Sequence, residues 1–168
     1  FSMKSLRSRA LYFFTVVLIA LFCKLFVVDV MYVSGPSMEP ALVHGNLVLE
    51  YKLAWGIPLP FANRYLMRWG EPIEDDVVIY PWNGRYVIKR CAGTPGTSLV
   101  FSPDSGYSVD IRKRIVPLTE EQYLKLHQTK EIPPGTIFAL GDNLDYSRDS
   151  RDYGFVALDS IRGKVLWK

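Results

Sequence analysis

The longest hydrophobic pattern in the chain lies near its start. From Ala10 to Val28 it reads ALYFFTVVLIALFCKLFVV, with Lys24 the one charge. A helix crosses a bilayer with ~20 predominantly apolar residues, and a lysine near one end can lift its ammonium to the headgroups. The pattern predicts a membrane helix over 10–28, a flank over 1–9 and a folded body over 29–168. A cleaved secretory signal has a similar profile but ends in a small-x-small site. Here the chain continues CKLFVVDVMYV, bulky throughout. Lys4, Arg7 and Arg9 precede the run, and no acidic residue appears before Asp29. By the positive-inside rule the flank is cytoplasmic and the body lies across the membrane.

Beyond Asp29 the apolar positions fall in short runs broken by Gly and Pro, which predicts a mainly β domain. GNLVLEY, DDVVIY, GRYVIKRCAG, GTIFALGD and GKVLWK are the clearest strands. One helix is predicted at LTEEQYLKLHQ, where Thr119 and Gln122 have capping-box spacing. Residues 53–70, LAWGIPLPFANRYLMRWG, follow neither period. Two readings stay open for them: core packing, or an apolar surface resting on lipid.

Composition narrows the function classes. The 168 residues suit one modest domain with an appendage, and a hydrophobic fraction of 49% is enough for a core. The net charge of +3 is accounted for by Lys4, Arg7 and Arg9, so the body is neutral. A nucleic-acid binder carries its basic residues on the folded domain, which argues against that class. Cys23 and Cys91 are the two cysteines, His44 and His127 the two histidines, and no ligand spacing joins them. No metal or cofactor is expected, and the thiols read as small buried apolar groups.

Three features carry candidate chemistry. Ser37 stands in VSGPSMEPAL, between Pro36 and Pro40 and a few residues past the apolar run. The stretch reads either as a plain turn or as a nucleophile held stiffly at a membrane surface. In YVIKRCA, strand alternation puts Val87, Lys89 and Cys91 on one face. A lysine between apolar neighbours is desolvated toward the neutral amine, which can act as a base. An edge-strand lysine that blocks aggregation is the plainer alternative. Arg90 falls on the opposite face with Tyr86 and Ile88 and receives no catalytic role. Third, GDNLDYSRDSRDYGFV interleaves four aspartates with Arg148 and Arg151. It reads as a charge-balanced loop, without the terminal Glu and ligand spacing of a calcium loop. Histidine is the usual base for a serine, but His44 lies in a turn-like LVHGN and His127 in the predicted helix.

Taken in order, the basic flank, membrane run, SGPSMEPAL, YVIKRCAGTPG and GDNLDYSRDSRDYGFV closely resemble the type I signal peptidases. These are membrane-bound Ser–Lys proteases that remove signal peptides from exported preproteins. The resemblance implies a mostly antiparallel β catalytic domain with an apolar surface toward the membrane and one N-terminal membrane helix. It implies a single pass through the cytoplasmic membrane, a monomer, and a small accessory segment within about 97–135. Carried over residue by residue, Ser37 matches the nucleophile and Lys89 the general base. Ser147 matches the serine that orients the lysine, and Asp149 and Arg151 match the pair that braces the loop. Val33, Gly35, Met38, Leu42 and Val87 are candidate walls of the pockets for small residues before the cleaved bond. Departures are Gly35, where many members have a hydroxyl that helps bind the oxyanion, and Asn46, Thr97 and Leu144 in the flanking motifs. The alternatives are a specialised processing peptidase of the same family, of conjugation systems or the mitochondrial inner membrane, or a non-catalytic membrane-tethered binding module. Retention of both Ser37 and Lys89 argues against the last.

Overall fold

The computed structural model describes residues 3–59, 62, 64–104 and 106–167. Helix α1 (Met3–Phe22) runs into a π-helical turn, Cys23–Val27. The segment Arg7–Val27 has a mean hydropathy of 2.4 and is long and apolar enough to cross a membrane. Its side chains project away from the rest of the molecule: Phe13, Phe14, Leu18 and Ile19 are all exposed. Helicity stops where the Val28 N–H closes onto the Cys23 carbonyl and the backbone becomes extended.

From that residue the chain is already in the main sheet. Strand β1 (Val28–Tyr32) pairs with β2 (Leu47–Tyr51), Val28 opposite Tyr51 and Asp29 opposite Glu50. A short hairpin follows, β3 (Gly56–Pro58) with β4 (Tyr65–Arg68). Then come β5 (Val77–Trp82), β6 (Arg85–Gly93), a meander of β7 (Leu99–Ser102), β8 (Ser108–Ile111) and β9 (Arg114–Pro117), and helix α2 (Glu120–Leu126). The chain returns through β10 (Thr136–Leu140), a one-turn helix α3 (Ser150–Tyr153), β11 (Val156–Ala157) and β12 (Gly163–Trp167). The main sheet has seven strands in the order β1-β2-β12-β5-β6-β10-β11, every pair antiparallel. The protein is thus mainly antiparallel β, preceded by one apolar helix.

The sheet's alternation sorts its side chains into separate cores. Val78, Tyr80, Cys91, Ile137 and Ala139 face one way, under Trp55, Leu158 and Ile161. Ala92, Phe138 and Leu140 face the meander and Leu126 of α2. Thr119 caps α2 as its spacing predicts: its hydroxyl accepts from Gln122 N at 3.2 Å and its own N–H donates to Gln122 Oε1 at 2.9 Å. Segment 53–70 divides between its two readings. Trp55 is core, whereas Leu66, Met67 and Trp69 on and beside β4 are exposed.

Candidate active site

Ser37 lies in the turn between β1 and β2, and this turn is built for rigidity. Val33 N donates to Asn46 O at 2.9 Å and Gly45 N returns to Val33 O at 3.0 Å. Gly35 takes φ +92°, a left-handed conformation that glycine adopts without the clash of a Cβ. Val33, Met38 and Leu42 are buried with Val48 of β2, so apolar burial pins the turn on both sides of the serine.

Strand β6 carries Lys89 to the same place. Its side chain is only 3% exposed, opposite Val78 on β5. The amine Nζ donates to Ser37 Oγ at 2.7 Å. Burial lowers the Lys89 pKa, opposed by the negative charge of Asp149 and reinforced by the positive charge of Arg151. Desolvation wins, which favours the neutral amine. With the amine neutral, the same contact lets the serine hydroxyl donate its proton to Nζ.

The closing loop braces this pair from behind. Asn143 N donates to the carbonyl of Ser37 at 3.1 Å. A Cβ on Gly141 would lie 2.2 Å from Ser147 Oγ and 2.5 Å from the Ser37 carbonyl oxygen, so only glycine lets the loop approach Ser37 this closely. Asp149 is fully buried and accepts from Gly141 N, from Arg151 N at 3.2 Å and from Arg151 Nε at 2.9 Å. It also caps α3, and its own N–H donates to Asp152 Oδ2. Arg151 Nη2 in turn donates to the carbonyls of Leu144, at 2.6 Å, and Ser147, at 3.3 Å.

Ser37 and Lys89 therefore meet, and Asp149 and Arg151 form the bracing pair. Ser147 sits beside them, but among the described residues its buried hydroxyl has no hydrogen-bond partner, and the Lys89 amine contacts Ser37 instead. Of the candidate walls, Val33, Gly35, Met38 and Val87 line a cleft of about 90 Å³ at the serine. Leu42 is not among the residues that line it and is buried with Val33, Met38 and Val48. His44 Nδ1 accepts from the N–H of Gly35 at 3.0 Å, so its ring serves the turn rather than Ser37. His127 stacks on Tyr123 within α2. Among the described residues no group of three His, Cys, Asp or Glu side chains is placed to hold a metal.

Two contributors escaped the sequence reading. Arg90 makes a two-pronged pair with Asp142, at 2.7 and 2.6 Å. This ties the strand that bears Lys89 to the loop that bears Ser147, so the Ile-Lys-Arg and Gly-Asp-Asn segments are two halves of one clamp. Ser150 is fully buried, and its hydroxyl accepts from Ala139 N at 2.9 Å, where the register of β10 against β6 slips. An Arg after the lysine and an Asp after the glycine were visible, but nothing local linked them.

Comparisons with known proteins give the family. A family model described as signal peptidase, peptidase S26, matches residues 6–168. A signal peptidase I of Bacillus caldolyticus is 31% identical over 96% of this chain and 90% of its own. A mitochondrial ATP-independent inner membrane protease subunit 1b of Arabidopsis thaliana is 32% identical over 82% of this chain and 67% of its own. The solved signal peptidase I of Enterococcus faecalis V583 is 28% identical and superposes with a TM-score of 0.39, covering 58% of this chain and 97% of that one. The chain belongs to the signal peptidase family, peptidase S26, and is a serine endopeptidase of the signal-peptide-removing kind.

Proposed function

We propose that this peptidase cuts exported preproteins with Ser37 as nucleophile and Lys89 as general base. The observation that carries the proposal is the 2.7 Å contact between a buried, desolvated amine and a serine hydroxyl. Neutral Lys89 takes the Ser37 proton as Oγ attacks the carbonyl of the scissile bond. The tetrahedral intermediate collapses as the Lys89 ammonium returns that proton to the leaving nitrogen, which departs as the new N-terminus of the mature protein. The signal peptide remains as an ester on Ser37. Lys89 then removes a proton from water as it attacks the ester, and returns that proton to Ser37 Oγ as the ester C–O bond breaks and the signal peptide leaves with a free carboxyl group. The Ser37 backbone N–H is the oxyanion donor, a contribution of ~2.7–4 kcal/mol per donor in other proteases. Gly35 offers no side chain to add to it.

The same reading assigns 1–9 to the cytoplasm, 10–28 to the bilayer and 29–168 to the far side, as a monomer. It makes residues 97–135, with the meander and α2, the accessory segment. The exposed Leu66, Met67 and Trp69 support a face resting on lipid. The longer match to the Bacillus protein than to the mitochondrial one favours general preprotein processing over the specialised alternative. The test is incubation of detergent-solubilised protein with a preprotein bearing an Ala-x-Ala site. Ser37→Ala and Lys89→Ala are each expected to lose at least ~10³-fold in turnover, the double variant being little worse. Near-normal turnover of Lys89→Ala would remove the dyad and make His44 the base to examine.

A further inference from the structure

The apolar helix is not hung from the catalytic sheet by a flexible tether. Lys52, just after β2, is 4% exposed, although nothing in the cleavage chemistry calls for a buried lysine there. Its Nζ donates to the carbonyls of Lys24, at 2.5 Å, and Leu25, at 3.5 Å, and to Asp29 Oδ2 at 3.3 Å. Those carbonyls belong to the last turn of the helix, where backbone acceptors have no helical partner. Asp29 begins the sheet side of the joint and also accepts from Arg162 Nη2 at 2.9 Å. Arg162 in turn lies 3.1 Å from Glu50 Oε2, and Glu50 is fully buried on β2. The Arg162 guanidinium also covers the ring of Tyr86, 4.4 Å from its centroid, and Tyr86 lines the cleft at Ser37. One partly buried network of Lys52, Asp29, Arg162 and Glu50 thus runs from the end of the helix to the wall of the cleft.

We propose that Lys52, Asp29 and Arg162 are positioning residues. They hold the membrane helix at a fixed attitude to the sheet, so that Ser37 works at a set height above the bilayer. The bond cleaved in a membrane-embedded signal peptide is then chosen by distance as well as by its flanking side chains. The proposal rests on the reading of the apolar helix as a membrane span.

Full-length protein in liposomes tests it on two substrates. One is a preprotein with an inserted signal segment followed by two identical Ala-x-Ala sites a few residues apart. The other is a short soluble peptide carrying one such site. Lys52→Met is the direct variant; Asp29→Asn with Lys52→Met removes one charge of each sign and guards against misfolding. Both are expected to process the soluble peptide within about twofold of wild type. On the preprotein they are expected to lose about tenfold or more in rate and to spread cleavage over both sites, because a displacement of about 1 Å is costly to catalysis. Wild-type site choice in both variants would overturn the proposal. So would equal loss on the two substrates, since height above the bilayer is irrelevant to a soluble peptide. Release of wild type from the liposomes by alkaline wash would sink the membrane-span reading itself, a separate failure.

Discussion

At the closing loop, Asp149 is fully buried, yet its oxygens accept from a glycine N–H, an arginine N–H and the arginine side chain. At the foot of the sheet, Glu50 is equally buried, but neither carboxylate oxygen has a hydrogen bond. Arg162 Nη2 comes within 3.1 Å of Oε2, close enough to attract it but not aimed as a donor. Burial raises the Glu50 pKa, and the charges of Arg162 and Lys52 only partly offset it. Directed donors replace the water that a buried carboxylate loses, and a nearby cation is a weaker substitute. The charges of the loop fix the geometry around Ser37. Those of the joint hold two elements together.

The sharpest test of that contrast is truncation at the loop. Asp149→Ala leaves the Arg151 guanidinium buried without its carboxylate, uncaps α3 and frees Gly141 N. Breaking a buried pair in this way costs about 3–5 kcal/mol, so denaturant unfolding should show a loss of that order, with turnover falling on soluble and membrane-embedded substrates alike. If Asp149→Ala costs no more stability than Glu50→Gln, directed hydrogen bonds do not distinguish the two sites.

A smaller effect on stability, with a large one on rate, is expected at Ser147. Its hydroxyl is buried without a partner, so Ser147→Ala removes no bond and should change unfolding by less than about 1 kcal/mol in either direction. If the hydroxyl turns to Lys89 when substrate is bound, turnover should fall by about 10- to 100-fold through misaimed proton transfer. The acidic limb of kcat/KM reports the free-enzyme Lys89. Desolvation places that limb below the ordinary lysine value of about 10.4, and the alanine variant should move it little. Unchanged turnover would make Ser147 a packing residue against Gly141 and nothing more.

How far these sites could be read beforehand follows from the range of the interactions. Strands β2, β6, β10 and β12 announce themselves as short apolar runs broken by Gly and Pro, and each lies within its predicted stretch, whereas β5 runs two residues past DDVVIY to Trp82. Strand β1 was hidden, because VDVMY continues the bulk of the membrane run without a break. The turn between β8 and β9 is made by Arg112 and Lys113 at φ +52° and +70°, residues that give no turn signal. Helix α3 is one turn long and its cap is Asp149 with Asp152, a spacing lost among neighbouring charges. Ser37 and Lys89 stand in separate motifs that the fold brings into contact. Arg90 with Asp142 and Lys52 with Lys24 escaped, since each joins positions far apart in sequence and close only after the sheet is assembled.

The mildest prediction concerns pH at the joint. In the unfolded chain Glu50 titrates near ~4.3, and in the folded protein its pKa is raised. Between those two values the folded state holds a proton that the unfolded state has released. Stability therefore falls as pH rises through that window, the reverse of a carboxylate held by directed donors. Below the unfolded value both states are protonated and this cost is absent; above the folded value it is paid in full. Glu50→Gln places a neutral amide in the same space while Arg162 keeps Asp29. The variant should be the more stable protein at neutral pH, and its advantage should shrink steadily on acidification and vanish below about pH 4. Thermal unfolding of both proteins across that range measures the difference directly. A Gln variant that is less stable at neutral pH would mean that the Arg162–Glu50 attraction outweighs desolvation, and the contrast with Asp149 would lose its physical basis.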